Sequence, residues 1–216
     1  MSEINLLRSL PLGKRNVKAR ESAKTEKHIQ VSREFGEMYF DGPREYGYGG
    51  YRYDGRWKPV AKDIVEYFNL KPGDRVLDVG CAKGFLVKDL LELEIDAYGI
   101  DISDYALMHC EQEVVGRLQL GSADHLPFPD NSFAVVISIN TIHNLTYEGC
   151  INAVREMQRL APGKGFIQVD SYLTPEQKEI FESWVLTAMF HDYPYGWLRL
   201  FHEAGYSGDW YWTIIE

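Results

Sequence analysis

The sequence predicts an α/β fold built on a doubly wound, mostly parallel sheet with helices on both faces. Three short apolar runs, RVLDV at 75–79, AYGID at 97–101 and FAVVISI at 133–139, have the length and composition of buried strands. Stretches of helical periodicity separate these runs, and such alternation favours right-handed crossovers and a parallel, Rossmann-like sheet. Ligands of such sheets bind beyond the carboxyl ends of the strands, so we expect the functional site in those loops.

The other elements follow in chain order. Pro59 suits the first turn of a helix whose apolar face carries Val60, Ile64 and Phe68, and KPGD at 71–74 is a turn. Ser103 is a candidate cap for a helix in the segment SDYALMHCEQ. We expect further helices at about 84–93, 147–160, 175–189 and 195–204, and further strands at 117–120, at 166–170 and in GDWYWTIIE at the end.

The periodic pattern begins only after about residue 55. We therefore predict an N-terminal extension and lid over residues 1–55, and the α/β domain over 56–216. The segment DGPREYGYGGYRYDGRW at 41–57 is dense in glycine, tyrosine and arginine. Glycine hinges would let it fold over the strand ends as a lid, or its tyrosines would pack the extension against the core. Both interpretations stay open at this point.

Composition excludes several classes of protein. Acidic side chains number 32 and basic ones 23, a net charge of −9. Because residues 1–30 carry seven basic and three acidic groups (+4), the rest carries −13, which disfavours nucleic acid as a partner. No apolar run approaches the about eighteen residues of a membrane span, and the N-terminus lacks a secretory pattern, so we expect a cytoplasmic protein without a membrane partner. The cysteines, at 81, 110 and 150, form no metal or disulfide pattern, and no metal is expected.

Polar groups follow four successive strands, at Asp78–Gly84, Asp101, Ser122–Asp124 and Asn140–Asn144. A dinucleotide fingerprint needs small residues at the first, third and sixth positions of the first loop, and here Phe85 takes the sixth. The carboxylate of Asp78 would also repel a pyrophosphate. It would attract a cationic ligand, so the loop favours a nucleoside that carries positive charge instead of phosphate.

Four ordered motifs give the chain a resemblance to the class I S-adenosylmethionine-dependent methyltransferases, in particular the single-domain type that acts on small molecules. The motifs are VLDVGCAKGFL, YGIDIS, GSADHLPFPDNSFAVVIS and LAPGKGFIQVD, and the resemblance covers about residues 56–205. It implies a sheet of the seven-stranded type and S-adenosylmethionine as the cofactor. Cofactor contacts are implied at Asp78, Gly80, Asp101, Ile102, Ala123, Asp124 and Asn140.

The resemblance also implies a small-molecule acceptor. Candidate residues for binding it lie after the fourth strand, in the segment 41–57 and after the fifth strand. His143, just past the fourth strand, is a candidate general base, although a packed histidine at a helix start is an equal interpretation. Arginines at 44, 52 and 56 would suit an anionic acceptor. Candidate acceptor contacts are Tyr46, Tyr48, Arg52, Tyr53 and Tyr195.

Three other functions stay open. One is an S-adenosylmethionine-consuming lyase or cyclase on the same fold. The second is a nicotinamide-dependent oxidoreductase, which the first loop disfavours. The third is a non-catalytic module that docks a partner through the basic N-terminal arm. The sequence predicts neither the identity of the acceptor, nor the atom that is methylated, nor the oligomeric state.

Overall fold

A computed structural model describes residues 1–11 and 17–214 of the chain. Nine α-helices occur in this part: α1 Val17–Ala23, α2 Glu26–Arg33, α3 Glu37–Phe40, α4 Lys58–Phe68, α5 Phe85–Leu91, α6 Asp104–Met108, α7 Tyr147–Leu160, α8 Pro175–Trp184 and α9 Pro194–Glu203. The strands of the described ranges are β1 Arg75–Val79, β2 Asp96–Asp101, β3 Leu118–Leu120, β4 Val135–Ile139, β5 Gly165–Ser171 and β6 Asp209–Ile214. Short 3-10 turns cover Gln112–Val114 and Ile142–Asn144.

The strands form one sheet in the order β3-β2-β1-β4-β5-β6, and all five pairings are parallel. The predicted doubly wound α/β fold is therefore confirmed. The strand order reverses between β1 and β4, which is the switch point where such sheets open a crevice. The seven-stranded type is only approximate, because the described residues form six strands and β6 pairs directly with β5. Residues 2–4 lie along the outer side of β6, where the Ile4 amide donates to the Trp210 carbonyl at 2.9 Å.

Successive residues of the central strands face two separate apolar layers, as a pleated strand requires. Val136 of β4 packs with α7 and α9 on one face, whereas Val135 and Ile137 pack with α4 and α5 on the other. Trp197 of α9 is completely buried in the first layer. Burial on both faces holds the sheet rigid, and this fixes the positions of the loops at its carboxyl edge.

Candidate functional site

The main cavity, of about 370 Å³, lies at the carboxyl edge of the sheet, above the switch point. Its floor comes from the loops after four strands. β1 contributes Gly80 and Ala82, and β2 contributes Asp101 and Ile102. The loops after β3 and β4 add Gly121, Ser122, Ala123, Asn140, Thr141, Asn144 and Leu145. The four loops that the sequence analysis singled out therefore meet around one space.

Gly80 is required where it stands because the β1 loop touches the β4 loop there. Its φ of +83° lies in the left-handed region, and an added Cβ would lie 2.0 Å from Oγ1 of Thr141. The Gly80 amide donates to the Ile100 carbonyl at 2.7 Å, so the loop cannot move away without losing that bond. This close approach brings the ends of β1 and β4 together at the bottom of the main cavity.

Replacing Gly80 with alanine is therefore expected to destabilise the protein by more than backbone strain alone. Gly73 is a matched control, because it has a φ of +86° and no atom within 4 Å of an added Cβ. Both Gly80→Ala and Gly73→Ala incur the left-handed penalty, but only the first adds overpacking of about 1–3 kcal/mol. Urea unfolding of both variants measures the difference, and equal losses of unfolding free energy would show that the Thr141 contact costs nothing.

Asp101 shapes the β1 loop as well as lining the cavity. Its Oδ2 accepts from the Ala82 amide at 2.7 Å, and its Oδ1 accepts from the Ser103 amide at 2.8 Å. Ala82 has a φ of +50°, a conformation that glycine adopts more easily, and its side chain packs under Phe40. The hydrogen bond to Asp101 and the contact with Phe40 offset the cost of an alanine at this position.

Two carboxyl groups lie close together at the floor of the main cavity, where Asp101 lines the cavity and Asp78 is buried beside it. Asp78 is 6% exposed, and its burial, together with the nearby charge of Asp101, raises its pKa to about 7. Burial also raises the pKa of Asp101. Two neighbouring acids that resist ionisation favour a cationic ligand, since a positive charge would restore the ionised form.

The roof of the cavity, residues 33–48, differs from the predicted lid. It contributes Arg33, Glu34, Phe35, Tyr39, Phe40 and Tyr48, so α2, α3 and the turn after them cover the strand ends. The predicted lid, residues 41–57, supplies only Tyr48 to this cavity. The roof is held down by Asp41, which accepts from Lys83 Nζ at 2.6 Å and from the Tyr105 hydroxyl at 2.8 Å. Ser103 Oγ also donates to the Phe35 carbonyl at 2.6 Å.

A second, more polar cavity of about 200 Å³ adjoins the first. The two cavities share Tyr39, Tyr48 and Asn140 as walls. The other walls of the second cavity are Arg20, Arg44, Gly47, His143, Asp170, Trp184, Val185, Leu186 and Thr187. A ligand in the second cavity would therefore touch the same two tyrosines as a ligand in the first.

Two guanidinium groups stand together at the second cavity. Arg20 lies 4.5 Å and Arg44 lies 5.7 Å from the ring centroid of Trp184. An Nη of Arg20 donates to the Arg44 carbonyl at 2.8 Å, and Arg44 donates to the Gly47 carbonyl. No salt bridge within the described ranges joins either arginine to a carboxylate. Burial and the neighbouring charge of Arg44 lower the pKa of Arg20.

His143 lies in the 3-10 turn after β4 and is 4% exposed. Its carbonyl accepts from the amides of Met189 and Phe190, which fixes the turn. Nδ1 is buried and has no hydrogen-bond partner among the described residues. Burial, with a smaller contribution from His191, lowers the pKa of His143 to about 4, so the imidazole is neutral at pH 7.

The structure brings together part of the predicted set of site residues. Gly80, Asp101, Ile102, Ala123 and Asn140 line the main cavity, Tyr48 and Asn140 line both cavities, and His143 lines the second. Asp78 is buried next to Asp101 without lining either space, and Asp124 accepts from Ser122 Oγ at 2.5 Å. Apart from Tyr48 in the roof, these positions lie at strand ends or in the loops directly after strands, where sequence pattern is most informative.

Four predicted acceptor contacts lie elsewhere. The Tyr53 hydroxyl donates to Asp89 at 2.5 Å on α5, and the Tyr46 ring packs edge-on against His28. Arg52 is exposed, and Tyr195 is 68% exposed and stacks on Tyr193. None of the four lines either cavity, because each side chain has a hydrogen bond, an aromatic neighbour or solvent outside the site.

Sequence reasoning missed Arg20, Tyr39 and Trp184. In the sequence Arg20 is one of seven basic residues within 1–30, and Trp184 is one residue of the helix expected at 175–189. Their contact joins positions 164 residues apart in the chain, and no local pattern predicts such a pairing. The unusual number of arginines and aromatics before residue 57 was the one available indication.

Two other kinds of site are absent from the described residues. Within residues 1–11 and 17–214, no helix has the length and apolar character that crossing a membrane requires. In the same part of the chain, no group of three or more histidine, cysteine or acidic side chains is arranged to hold a metal ion.

Comparison with known proteins points to one family. Residues 77–169 match a family described as "Methyltransferase domain". The demethylmenaquinone methyltransferase of Symbiobacterium thermophilum is 32% identical over 128 residues, which cover 54% of this chain and 50% of that protein. Phosphoethanolamine N-methyltransferase 1 of Arabidopsis thaliana is 34% identical over 91 residues, or 38% of this chain and 18% of that protein. The chain thus spans half of the first relative and less of the second.

Solved structures share the fold. The YcgJ protein of Bacillus subtilis has a TM-score of 0.52 and 18% sequence identity, and the match covers 67% of this chain and 66% of that one. At this level of identity the likeness concerns the fold alone. The matched family segment, 77–169, begins in β1 and ends in β5, so it contains the loops that form the floor of the main cavity.

Proposed function

We propose that this chain, a member of the class I S-adenosylmethionine-dependent methyltransferases, transfers a methyl group from S-adenosylmethionine to a small molecule that carries an anionic group. The observation that carries the proposal is the pair of adjoining cavities. One lies over the strand ends of the matched segment, and the second shares Tyr39, Tyr48 and Asn140 with it. Two ligands can therefore meet at a common wall.

The residues of the main cavity fit the cofactor. Its volume of about 370 Å³ falls within the range of about 300–1,000 Å³ for small-molecule sites. Asp101 can accept hydrogen bonds from ribose hydroxyls through lone pairs that Ala82 and Ser103 leave free. Ile102, 58% exposed, and Ala123 offer an apolar surface for the adenine. The roof aromatics Tyr39 and Tyr48 suit a nearby cation.

The second cavity fits an acceptor with negative charge. Arg20 and Arg44 provide planar donor groups, and stacking on Trp184 orients both. Guanidinium groups bind carboxylates and phosphates through paired hydrogen bonds. The volume of about 200 Å³ limits the bound part of the acceptor to a small group.

Methyl transfer mainly requires the protein to position the cofactor and the acceptor. Bound S-adenosylmethionine supplies a methyl carbon that its sulfonium already activates. Asn140 and the two shared tyrosines, which line both cavities, would orient the acceptor toward that carbon, and the roof residues would cover the two ligands. Asn140 is itself held in a left-handed backbone conformation, with a φ of +54°. Its backbone N–H donates to Oε1 of Gln168 at 3.0 Å. Such strain is typical of a position where geometry matters more than stability.

One observation favours a different cofactor. The strand order with β6 parallel to β5 is that of dinucleotide-binding sheets. The first loop opposes it, since Phe85 is 4% exposed and packs against Tyr51 where a dinucleotide fold needs a small residue. Binding of NADH in preference to S-adenosylhomocysteine, measured by calorimetry, would revive the nicotinamide-dependent alternative.

Methyl transfer is tested directly with isotope-labelled S-adenosylmethionine and a protein-free metabolite extract. We expect label to appear in small molecules together with an equal amount of S-adenosylhomocysteine. Breakdown of the cofactor without S-adenosylhomocysteine would indicate a lyase or cyclase instead. Failure of S-adenosylhomocysteine to bind would overturn the assignment of the main cavity.

A further inference from the structure

The second cavity has two distinct ends, and each says something about the acceptor. The roof and α1 bring Arg20 and Arg44 to one end, where Trp184 of α8 supports them. The sheet edge brings Asn140, His143 and Asp170 to the other. The residues at the sheet end lie at or just after the ends of β4 and β5. Asn140, one of them, also lines the main cavity. This arrangement favours the reacting atom of an acceptor at the sheet end, beside the shared wall Asn140, and its charged group at the arginine end.

His143 is a buried group at the sheet end whose hydrogen bonding is incomplete. Its imidazole is 4% exposed, and Nδ1 finds no partner in the described part of the chain. A buried polar atom without a hydrogen bond costs about 1–3 kcal/mol, which a structure retains where a ligand completes the bond. A polar hydrogen on the acceptor would satisfy this imidazole.

Building on the proposed function, we infer that the acceptor is a hydroxyl-bearing oxyanion. Its carboxylate or phosphate lies against Arg20 and Arg44, and its hydroxyl donates a hydrogen bond to the imidazole of His143. The reaction is thus methylation at oxygen, with His143 receiving the hydroxyl proton. A carboxylate and a phosphate share this recognition, because both offer the paired oxygens that a guanidinium binds.

The electronic balance favours a hydroxyl over an amine. The hydroxyl oxygen donates a lone pair to the methyl carbon, the carbon–sulfur bond breaks, and its electron pair stays on sulfur as a neutral thioether. The attacking oxygen becomes positively charged and strongly acidic, so even a weak base takes its proton. Burial keeps His143 neutral by lowering its pKa to about 4, which suits that task. An alkylammonium would have to lose its proton before attack, and so weak a base does not remove it.

The charged end is tested with Arg20→Gln and the charge-preserving Arg20→Lys. Arg20 does not line the main cavity, so both variants should bind S-adenosylhomocysteine as the natural chain does. We expect Arg20→Gln to raise the KM for the acceptor that takes up the label by about ten- to hundredfold, which corresponds to the loss of a charged hydrogen bond. Arg20→Lys should restore part of the lost affinity. An unchanged KM in Arg20→Gln would overturn the anion assignment.

The reacting end is tested on the product and on two further variants. The labelled methyl carbon should show the NMR shift of an O-methyl group, and an N-methyl shift would overturn the inference. His143→Gln should lower kcat and leave KM and S-adenosylhomocysteine affinity unchanged, whereas His202→Gln, at an exposed histidine of α9 that lines neither cavity, should retain the full kcat. An unchanged kcat in His143→Gln would overturn the assignment of the proton to His143. Absence of any transfer by the unaltered chain is a different result, because it rejects the proposed function itself.

Discussion

Replacing Asp101 with asparagine is expected to weaken binding of S-adenosylhomocysteine by about a hundredfold, or about 3 kcal/mol. Each carboxylate oxygen already accepts one amide hydrogen, from Ala82 and from Ser103. An asparagine must turn its NH2 group toward one of these donors, so it loses a loop contact as well as one acceptor for the ribose. Calorimetric titration of the variant measures the loss.

Asp104→Asn is the matched control. Asp104 is exposed in the first turn of α6, three residues further along, and it accepts from the Tyr105 amide rather than from the β1 loop. The Asp104→Asn variant should bind S-adenosylhomocysteine with unchanged affinity. If Asp101→Asn also retained full affinity while remaining folded, the ribose would have to lie elsewhere in the main cavity.

Affinity for S-adenosylhomocysteine is expected to fall as the pH drops below 7, by at most about tenfold for each pH unit, through the titration of Asp78, which lies beside the cavity-lining Asp101. In the free protein the pKa of Asp78 is about 7, so at pH 6 most molecules hold a proton there. The ligand's ammonium favours the ionised carboxylate, and binding at that pH must release the proton. Calorimetry in buffers of different ionisation enthalpy detects this release.

The same shift has a defined effect on the free protein. Because the pKa of Asp78 is raised on folding, the folded state keeps a proton that the unfolded state loses above about pH 4. The contribution of Asp78 to stability therefore falls as the pH rises from about 4 to about 7, and is constant above that. Asp78→Asn should remove both this slope and the pH dependence of binding. If the fall of stability with pH persisted in Asp78→Asn, another group would have to be titrating, and the neighbouring Asp101 would be the first candidate.

The floor of the site was predictable because it depends on local order. A short apolar run followed by glycine or an acid marks a strand end, and parallel strands carry all their carboxyl ends to one edge. Gly80, Asp101 and Asn140 were placed in this way.

The roof was only partly predictable because its position depends on tertiary contacts. Aromatic residues before β1 indicated a covering segment, but Tyr53 and Tyr48 look alike in sequence. The structure separates them through their partners: Tyr53 bonds to Asp89 on α5, and Tyr48 stacks on Phe40 above the cavity. Likewise, Arg20 becomes a site residue only because α1 lies beside α8.

The two cavities draw on different parts of the chain. All floor residues of the main cavity lie within 77–169, the segment that the methyltransferase family shares. In the second cavity, only Asn140 and His143 come from that segment, and every other wall residue lies before or after it. The similarity to methyltransferases therefore extends over the floor of the proposed cofactor cavity but over only two wall residues of the proposed acceptor cavity. On the proposed function, exchanging the segments that flank 77–169 would change the acceptor cavity and leave the floor of the cofactor cavity in place.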